Sequence, residues 1–232
     1  MSAAWASPPS TGGRHRGPSL LAVAIVFTTL FVSSLVISTA IAGGQHFPSP
    51  FQRGASSYFA EHTDAVRIGA FLQFGSAIPL GIFTATAVSR IQFLGVQAAG
   101  TSIAFFGGLV GSVFLTLSAL IQWVLSQAVG AADPVAHALH LLAFATGGAG
   151  YVVPVGLLVA GVSVTGGLSK LLPKWLMWFG LTIAALAEAS ALSLIVTPTM
   201  YLLPIARFPT LIWMICVGAL LPKSRRSSIG SS

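Results

Sequence analysis

The chain has 232 residues, of which 55% are apolar and only 6% are charged, against roughly 25% charged in an ordinary soluble domain. Four acidic side chains cannot give a soluble surface of this size its charge, so the composition excludes a water-soluble globular protein. The formal charge of +7 lies at the ends of apolar runs and not along one broad face, which excludes a nucleic-acid partner and is typical of membrane segments.

Six apolar segments follow one another along the chain, each long enough to cross a bilayer. A span needs about 20 residues, because a helix rises 1.5 Å per residue across roughly 30 Å of hydrocarbon. A helix satisfies its own backbone groups in lipid, and these runs lack the alternating polarity of barrel strands. We predict an all-α, polytopic transmembrane helix bundle with six helices at approximately 20–42, 66–88, 101–126, 138–164, 175–196 and 202–221.

The first segment has a second interpretation, a cleaved signal peptide. It follows Arg14 and Arg16 and ends in Ala40-Ile41-Ala42, a plausible cleavage site of small residues. The apolar region of a signal peptide has only about 7–15 residues, however, and this run is longer. The sequence therefore favours a retained span, and cleavage would leave five.

The basic residues predict that both termini lie in the cytoplasm, since cytoplasmic flanks carry an excess of lysine and arginine. With the N-terminus inside, the cytoplasmic side holds Arg14, Arg16, Arg90, Lys170, Lys174, Lys223, Arg225 and Arg226. The outer side holds only Arg53, Arg67 and Arg207. The predicted organisation is a flexible cytoplasmic tail (1–18), one six-helix transmembrane domain (19–222) with an outer loop at 43–65, and a basic cytoplasmic tail (223–232).

Small residues recur at four-residue spacing within the spans, which lets helix backbones approach closely in lipid. They are Ala77, Gly81, Ala85, Gly107, Gly111, Gly156 and Ala160. This pattern favours packing within the monomer, with a homo-oligomer face as the alternative.

Two prolines lie well inside predicted spans. Pro79 removes a helix hydrogen bond to the carbonyl of Gly75, and Pro154 removes one to the carbonyl of Gly150. A glycine beside each freed carbonyl can absorb a bend. We therefore predict hinges at Gly75–Pro79 and Gly150–Pro154.

Polar side chains at membrane depth are costly and are the best leads to a function. The candidates for a ligand or proton site are Glu188, Arg207, Gln73 and His140, all on the predicted outer side. Together they predict an outward-facing polar vestibule with Glu188 as its floor. The competing interpretation is structural, with Glu188 paired to Arg207 or held protonated.

A metal site is a second interpretation of the same region. His137 and His140 lie three residues apart on one helix face and, with His46 or His62 and a carboxylate, are the ligand types that zinc prefers. The signal is weak because no HExxH spacing is present. Serine-hydrolase, Walker and dinucleotide motifs are also absent from the sequence, which weighs against an enzyme.

From about Val66 onward the chain resembles a group of small bacterial multi-pass membrane proteins of unknown function. The resemblance covers about 66–223 and rests on GAFLQFGSAIPLGIFTATAVSR (69–90), FLGVQAAGT (93–101), VGLLVAGVSVTGG (155–167), LLPKWLMWFG (171–180) and LLPIARFP (202–209). It implies a helical membrane architecture and a bacterial cytoplasmic membrane, and it implies no activity.

The expected function is that of an integral membrane protein whose outer vestibule binds a small ligand, an ion or a partner protein. One alternative is a membrane-embedded, metal-dependent enzyme that uses His137, His140 and Glu188. Another is a small proton-coupled transporter that pivots at Pro79 and Pro154. The sequence assigns no cofactor and no catalytic residue, and its one evident partner is the lipid bilayer.

Overall fold

A computed structural model of the chain describes residues 15–49, 51, 55–127 and 133–224. Most of the two predicted tails, with Arg14, Arg225 and Arg226, lies outside the described residues, and so does Arg53 of the predicted outer loop. The described part of the chain is helical and contains no strand. Its α-helices are α1 (Leu20–Ile41), α2 (Ala55–Glu61), α3 (Thr63–Phe93), α4 (Ala99–Gln127), α5 (Asp133–Gly147), α6 (Ala149–Leu168), α7 (Lys174–Ala189) and α8 (Leu202–Leu220).

The prediction of six membrane-spanning helices is confirmed. Six helical stretches of the described chain are long and apolar enough to cross a membrane: Leu20–Ile41, Thr63–Phe93, Ala99–Gln127, Pro134–Leu168, Lys174–Leu194 and Thr197–Leu220. Several extend beyond their predicted bounds, because an apolar run marks the hydrocarbon and a helix can continue past it. At the start of α3, Asp64 and Arg67 form an ion pair of 3.5 Å one turn apart, which supports helix beyond the apolar segment.

The fourth span is interrupted. α5 ends at Gly147 and α6 begins at Ala149, with Gly148 between them outside the helix. α3, by contrast, is continuous through Pro79, and Pro154 lies inside α6. The interruption therefore falls six residues before Pro154, in the glycine pair and not at either proline.

Small residues bring helices of the same chain together. A Cβ added at Gly107 of α4 would collide with the Pro154 carbonyl oxygen of α6, and one at Gly111 would meet the Val155 side chain. Larger residues at these positions would force the two helices apart. The predicted small-residue face of α4 thus packs inside the monomer.

The bundle has two unlike ends. One end, here called the terminal end, holds the first and last described residues of the chain. There the backbone N–H of His15 donates to the Lys223 carbonyl at 2.9 Å, and Gly218 of α8 packs against the backbone of Leu21 in α1. At the opposite end, residues 42–49, 51 and 55–62 fold over the helices as a cap. α2 lies within this cap, so the predicted outer loop is partly helical. The orientation with both termini in the cytoplasm stays a prediction.

Candidate functional site

A cavity of about 400 Å³ lies beneath the cap, between the helix ends. Residues of α1, α3, α4, α5 and α8 form its wall, together with the cap and the 3-10 turn at Thr197–Tyr201. The polar and ionisable side chains among the lining residues are Ser34, Ser38, Ser49, Tyr58, Gln73, Ser118, Gln122, His140, Tyr201 and Arg207. Three of the four predicted site residues, Gln73, His140 and Arg207, are therefore brought together in one wall.

Arg207 contributes the one positive charge among the described residues of the wall. It extends from α8 between two aromatic rings, with its guanidinium carbon 5.7 Å from the centroid of Phe31 and 5.3 Å from that of Tyr151. Both distances lie within the range of a cation–π interaction. The Nη2 group donates to the Gly147 carbonyl, whereas the buried Nε has no hydrogen-bond partner.

The position of Arg207 follows from the interrupted span. In an uninterrupted helix, the Gly147 carbonyl would accept from the amide four residues later, at Tyr151. Because the helix is interrupted at Gly148, the Tyr151 amide donates to the Gly148 carbonyl at 3.2 Å. The Gly147 carbonyl therefore has no partner within the helix and accepts from Arg207. The backbone irregularity is thus buried against protein and lines a cavity, the setting in which membrane proteins tolerate it.

Two glutamines link α3 to α4 across the wall. The Gln122 amide donates to the Gln73 side-chain oxygen at 3.1 Å and to the Ser118 hydroxyl at 3.3 Å, and Ser118 donates to the Ala143 carbonyl at 3.0 Å. Gln73 also donates to the Leu115 carbonyl at 3.4 Å. These bonds join α3, α4 and α5 and fix the polar side of the cavity.

His140 connects the wall to the cap. Its Nε2 lies 3.0 Å from the Pro48 carbonyl oxygen, and because a carbonyl only accepts, Nε2 carries the proton. The ring packs edge-on against Phe47 and Phe59, with centroids 5.3 and 5.0 Å away. Its Nδ1 is buried with no hydrogen-bond partner. His140 therefore holds the cap closed over the cavity.

The cap itself is a cluster of aromatic side chains. Phe47 packs edge-on against Tyr58 and Phe59, at 5.9 and 5.5 Å between ring centroids. Tyr58 is 8% exposed, and its burial raises the pKa of the phenol above the ordinary value of 10.0. Tyr58 therefore keeps its proton at neutral pH and adds no charge to the cavity wall.

Glu188 does not form the floor of this cavity. It lies at the end of α7, is exposed, and its carboxylate sits beside Gly156 of α6. It is not among the lining residues, and within the described chain the salt bridge is Asp64–Arg67, so the alternative ion pair between Glu188 and Arg207 is not formed either. The cavity is lined by Arg207 instead.

The histidines are not assembled as a metal site in the part of the chain that the structure describes. No three His, Cys, Asp or Glu side chains there are grouped closely enough to hold an ion. His137 is exposed, whereas His140 is buried with Nε2 committed to Pro48. The pair remains two isolated side chains on one helix.

Sequence reasoning missed Gln122, Tyr151 and the glycine pair at 147 and 148. Gln122 carried the same signal as Gln73, an amide within an apolar helix, and could have been found by the same rule. No sequence pattern marks Tyr151, because its contact with Arg207 depends on how α8 packs against α6. Pro154 is the stronger local signal for a bend, so the sequence alone does not single out the glycine pair.

Comparisons with protein-family models, with curated proteins and with solved structures found no match to this chain. The resemblance of residues 66–223 to small bacterial membrane proteins therefore stays a prediction. The function has to be argued from the cavity alone.

Proposed function

We propose that this integral membrane protein binds a small molecule in the cavity under the cap. The observation that carries the proposal is the convergence of Arg207, Gln73 and His140 on one space of about 400 Å³. Ligand pockets of membrane and soluble proteins have this character, a mostly apolar wall with a few fixed polar groups, and volumes from about 300 Å³ upward. In the predicted orientation, the cap faces the outside of a bacterial cytoplasmic membrane.

Two of the lining residues each carry a buried hydrogen-bonding atom that has no partner in the described chain. The Arg207 Nε can donate and the His140 Nδ1 can accept, yet each is buried without a partner in the described chain. Leaving such a group unpaired costs about 1–3 kcal/mol. A bound molecule that pairs with either atom would recover part of this cost.

The test is to identify small molecules that co-purify with the protein. Leu35 lines the cavity from α1 and is 38% exposed, so Leu35→Trp can fill the space without disrupting the core. Val36, the next residue, is 59% exposed and does not line the cavity, so Val36→Trp is the matched control. We expect mass spectrometry to detect a bound compound in wild type and Val36→Trp that is depleted in Leu35→Trp. Equal recovery from all three proteins would contradict the proposal.

The interrupted span favours a second candidate, carriage of the bound molecule across the membrane. Broken helices beside a central site are a feature of transporters, in which the break absorbs the change between two conformations. Gly148 is suited to such a break, since a Cβ there would lie 2.6 Å from the Phe144 carbonyl oxygen.

Accessibility of the cavity from each side separates a carrier from a binding protein. Ser34 lines the cavity and is 3% exposed, so Ser34→Cys, made with Cys216→Ser, places one thiol there. A carrier in proteoliposomes should react with an impermeant maleimide from both sides, and Gly148→Ala should suppress one of the two reactions. Labelling from one side alone would exclude carriage and leave binding intact.

A further inference from the structure

We propose that the cavity takes a long-chain carboxylate, a single-chain anionic amphiphile whose head group pairs with Arg207. This inference rests on the proposed function, since it names the class of molecule that the cavity binds. Three features support it: the positive charge of Arg207, the absence of a carboxylate among the described lining residues, and the apolar remainder of the wall.

The charge of the site is positive and uncompensated. An arginine guanidinium stays ionised in proteins, and Arg207 is half-buried within a membrane-spanning helix. No Asp or Glu lies among the described lining residues. A carbonyl and two ring faces stabilise the cation but carry no formal charge, so the electrostatic complement that the site lacks is an anion.

The balance of charge favours a carboxylate over a phosphate. A phosphate monoester carries about 1.5 to 2 negative charges at neutral pH, which one arginine cannot neutralise. A carboxylate carries one, which matches the single charge of Arg207, and it accepts charge-assisted hydrogen bonds from a guanidinium. His140 adds no second cation in the state observed, because its Nε2 donates to the Pro48 carbonyl and a neutral ring has one proton.

The remaining wall favours an alkyl chain. Phe31, Leu35, Leu115 and Phe144 supply apolar surface to the same wall as Arg207. Leu35 and Tyr201 line the cavity and are nevertheless 38% and 67% exposed, so the wall is open between α1 and the turn before α8. Leu35 lies within a membrane span, and a chain leaving there would enter lipid. A long chain also partitions into the bilayer and is therefore concentrated at this opening, whereas a short acid is not.

The experiment uses the full chain in phosphatidylcholine nanodiscs at mildly alkaline pH, with native mass spectrometry as readout. The probes are palmitate, palmitic acid methyl ester and acetate. We expect palmitate to bind at least about tenfold more tightly than the ester, because a charge-assisted hydrogen bond is lost with the carboxylate. Acetate should compete weakly, because it has the charge without the chain.

Variants locate the head group. Arg207→Gln should abolish the preference for palmitate over its ester, whereas Arg67→Gln, at an exposed arginine outside the lining, should keep it. The comparison of palmitate with the ester in wild type needs no variant, so it stands even if Arg207→Gln fails to fold.

The contrary outcomes are distinct. Equal binding of palmitate and the ester would overturn the carboxylate, and acetate binding as tight as palmitate would overturn the chain. In both cases the proposed cavity site would survive. If palmitate binds with the expected preference but Leu35→Trp binds it unchanged, the head group is not at this cavity and the inference is overturned.

Discussion

Two arginines lie at opposite ends of the bundle, and neither has a carboxylate partner within the described chain. Arg90, at the terminal end, is 2% exposed, and its Nη2 donates to the Pro18 carbonyl at 3.2 Å. Arg207, near the cap, is half-buried and lies at the wall of the cavity. The same residue type is enclosed by the polypeptide at one end and faces free space at the other.

The difference follows from packing and not from charge. At the terminal end, Gly218 lets α8 approach the backbone of α1 at Leu21, and residues 15–19 close over the end of α3. Near the cap, the same two helices line the cavity through Phe31 and Arg207, and an aromatic cap covers this space without filling it. An arginine without a carboxylate partner is therefore enclosed by protein at the terminal end, where the helices pack closely, and lines a cavity near the cap.

Truncation of the two arginines should give the largest contrast. Arg90→Ala leaves an enclosed void in a fully packed region, and we expect the free energy of unfolding to fall by about 2–5 kcal/mol. Arg207→Ala enlarges an existing cavity and removes the donor to the Gly147 carbonyl, but it also removes a desolvated cation, which offsets these costs, so we expect a loss of at most about 1 kcal/mol. Thermal unfolding in detergent measures both, and equal losses would show that the two ends are packed alike.

A smaller effect should follow from loosening the cap. His140→Leu leaves the Pro48 carbonyl without its donor, which costs about 1–3 kcal/mol, and we expect backbone amides of residues 45–49 to exchange with deuterium about tenfold faster or more. His137→Leu, on the same helix but exposed, is the control and should leave exchange unchanged. Unchanged exchange in His140→Leu would mean that the aromatic contacts alone hold the cap.

The smallest effect concerns pH at the terminal end. The pKa of His15 is lowered from its ordinary value of 6.5 by burial and then by the charge of Arg90, and its Nε2 lies 3.1 Å from the Ser89 hydroxyl. The folded segment therefore favours neutral His15. Its stabilising contact is complete above about pH 6.5 and is lost as the pH falls through the lowered pKa.

Deuterium exchange at residues 15–19 measures this effect. Exchange should rise on acidification in wild type, and His15→Gln should remove most of the dependence. A pH response of equal size in His15→Gln would assign the titration to another group.

Much of the fold was accessible from the sequence because lipid imposes a simple rule. Apolar runs of span length had to be helices, and the six spans followed from counting. The same cost of burying polar groups singled out Arg207, Gln73 and His140, which the structure brings to one wall. Depth along a span can be counted from residue number.

The direction in which a side chain faces cannot be predicted by counting residues along a span. Glu188 lies on the exposed side of α7, because apolar residues occur on every side of that helix and its sequence marks no inward face. The sequence likewise did not predict the interruption at Gly148, and the hinges at Gly75–Pro79 and Gly150–Pro154 stay a prediction. The Gly147 carbonyl, which the interruption at Gly148 leaves without a helix partner, accepts from Arg207 of α8, a tertiary contact that no local pattern records.

The interruption at Gly148 has a consequence for the electrostatics of the site. By ending at Gly147, α5 acquires its own C-terminus inside the membrane region, and the last carbonyls of a helix carry the negative pole of its macrodipole, equivalent to about half an elementary charge. The Arg207 guanidinium caps that pole through the Gly147 carbonyl. Half a charge can hold the arginine in place without neutralising it, so the site keeps a net positive potential with which to attract an anion.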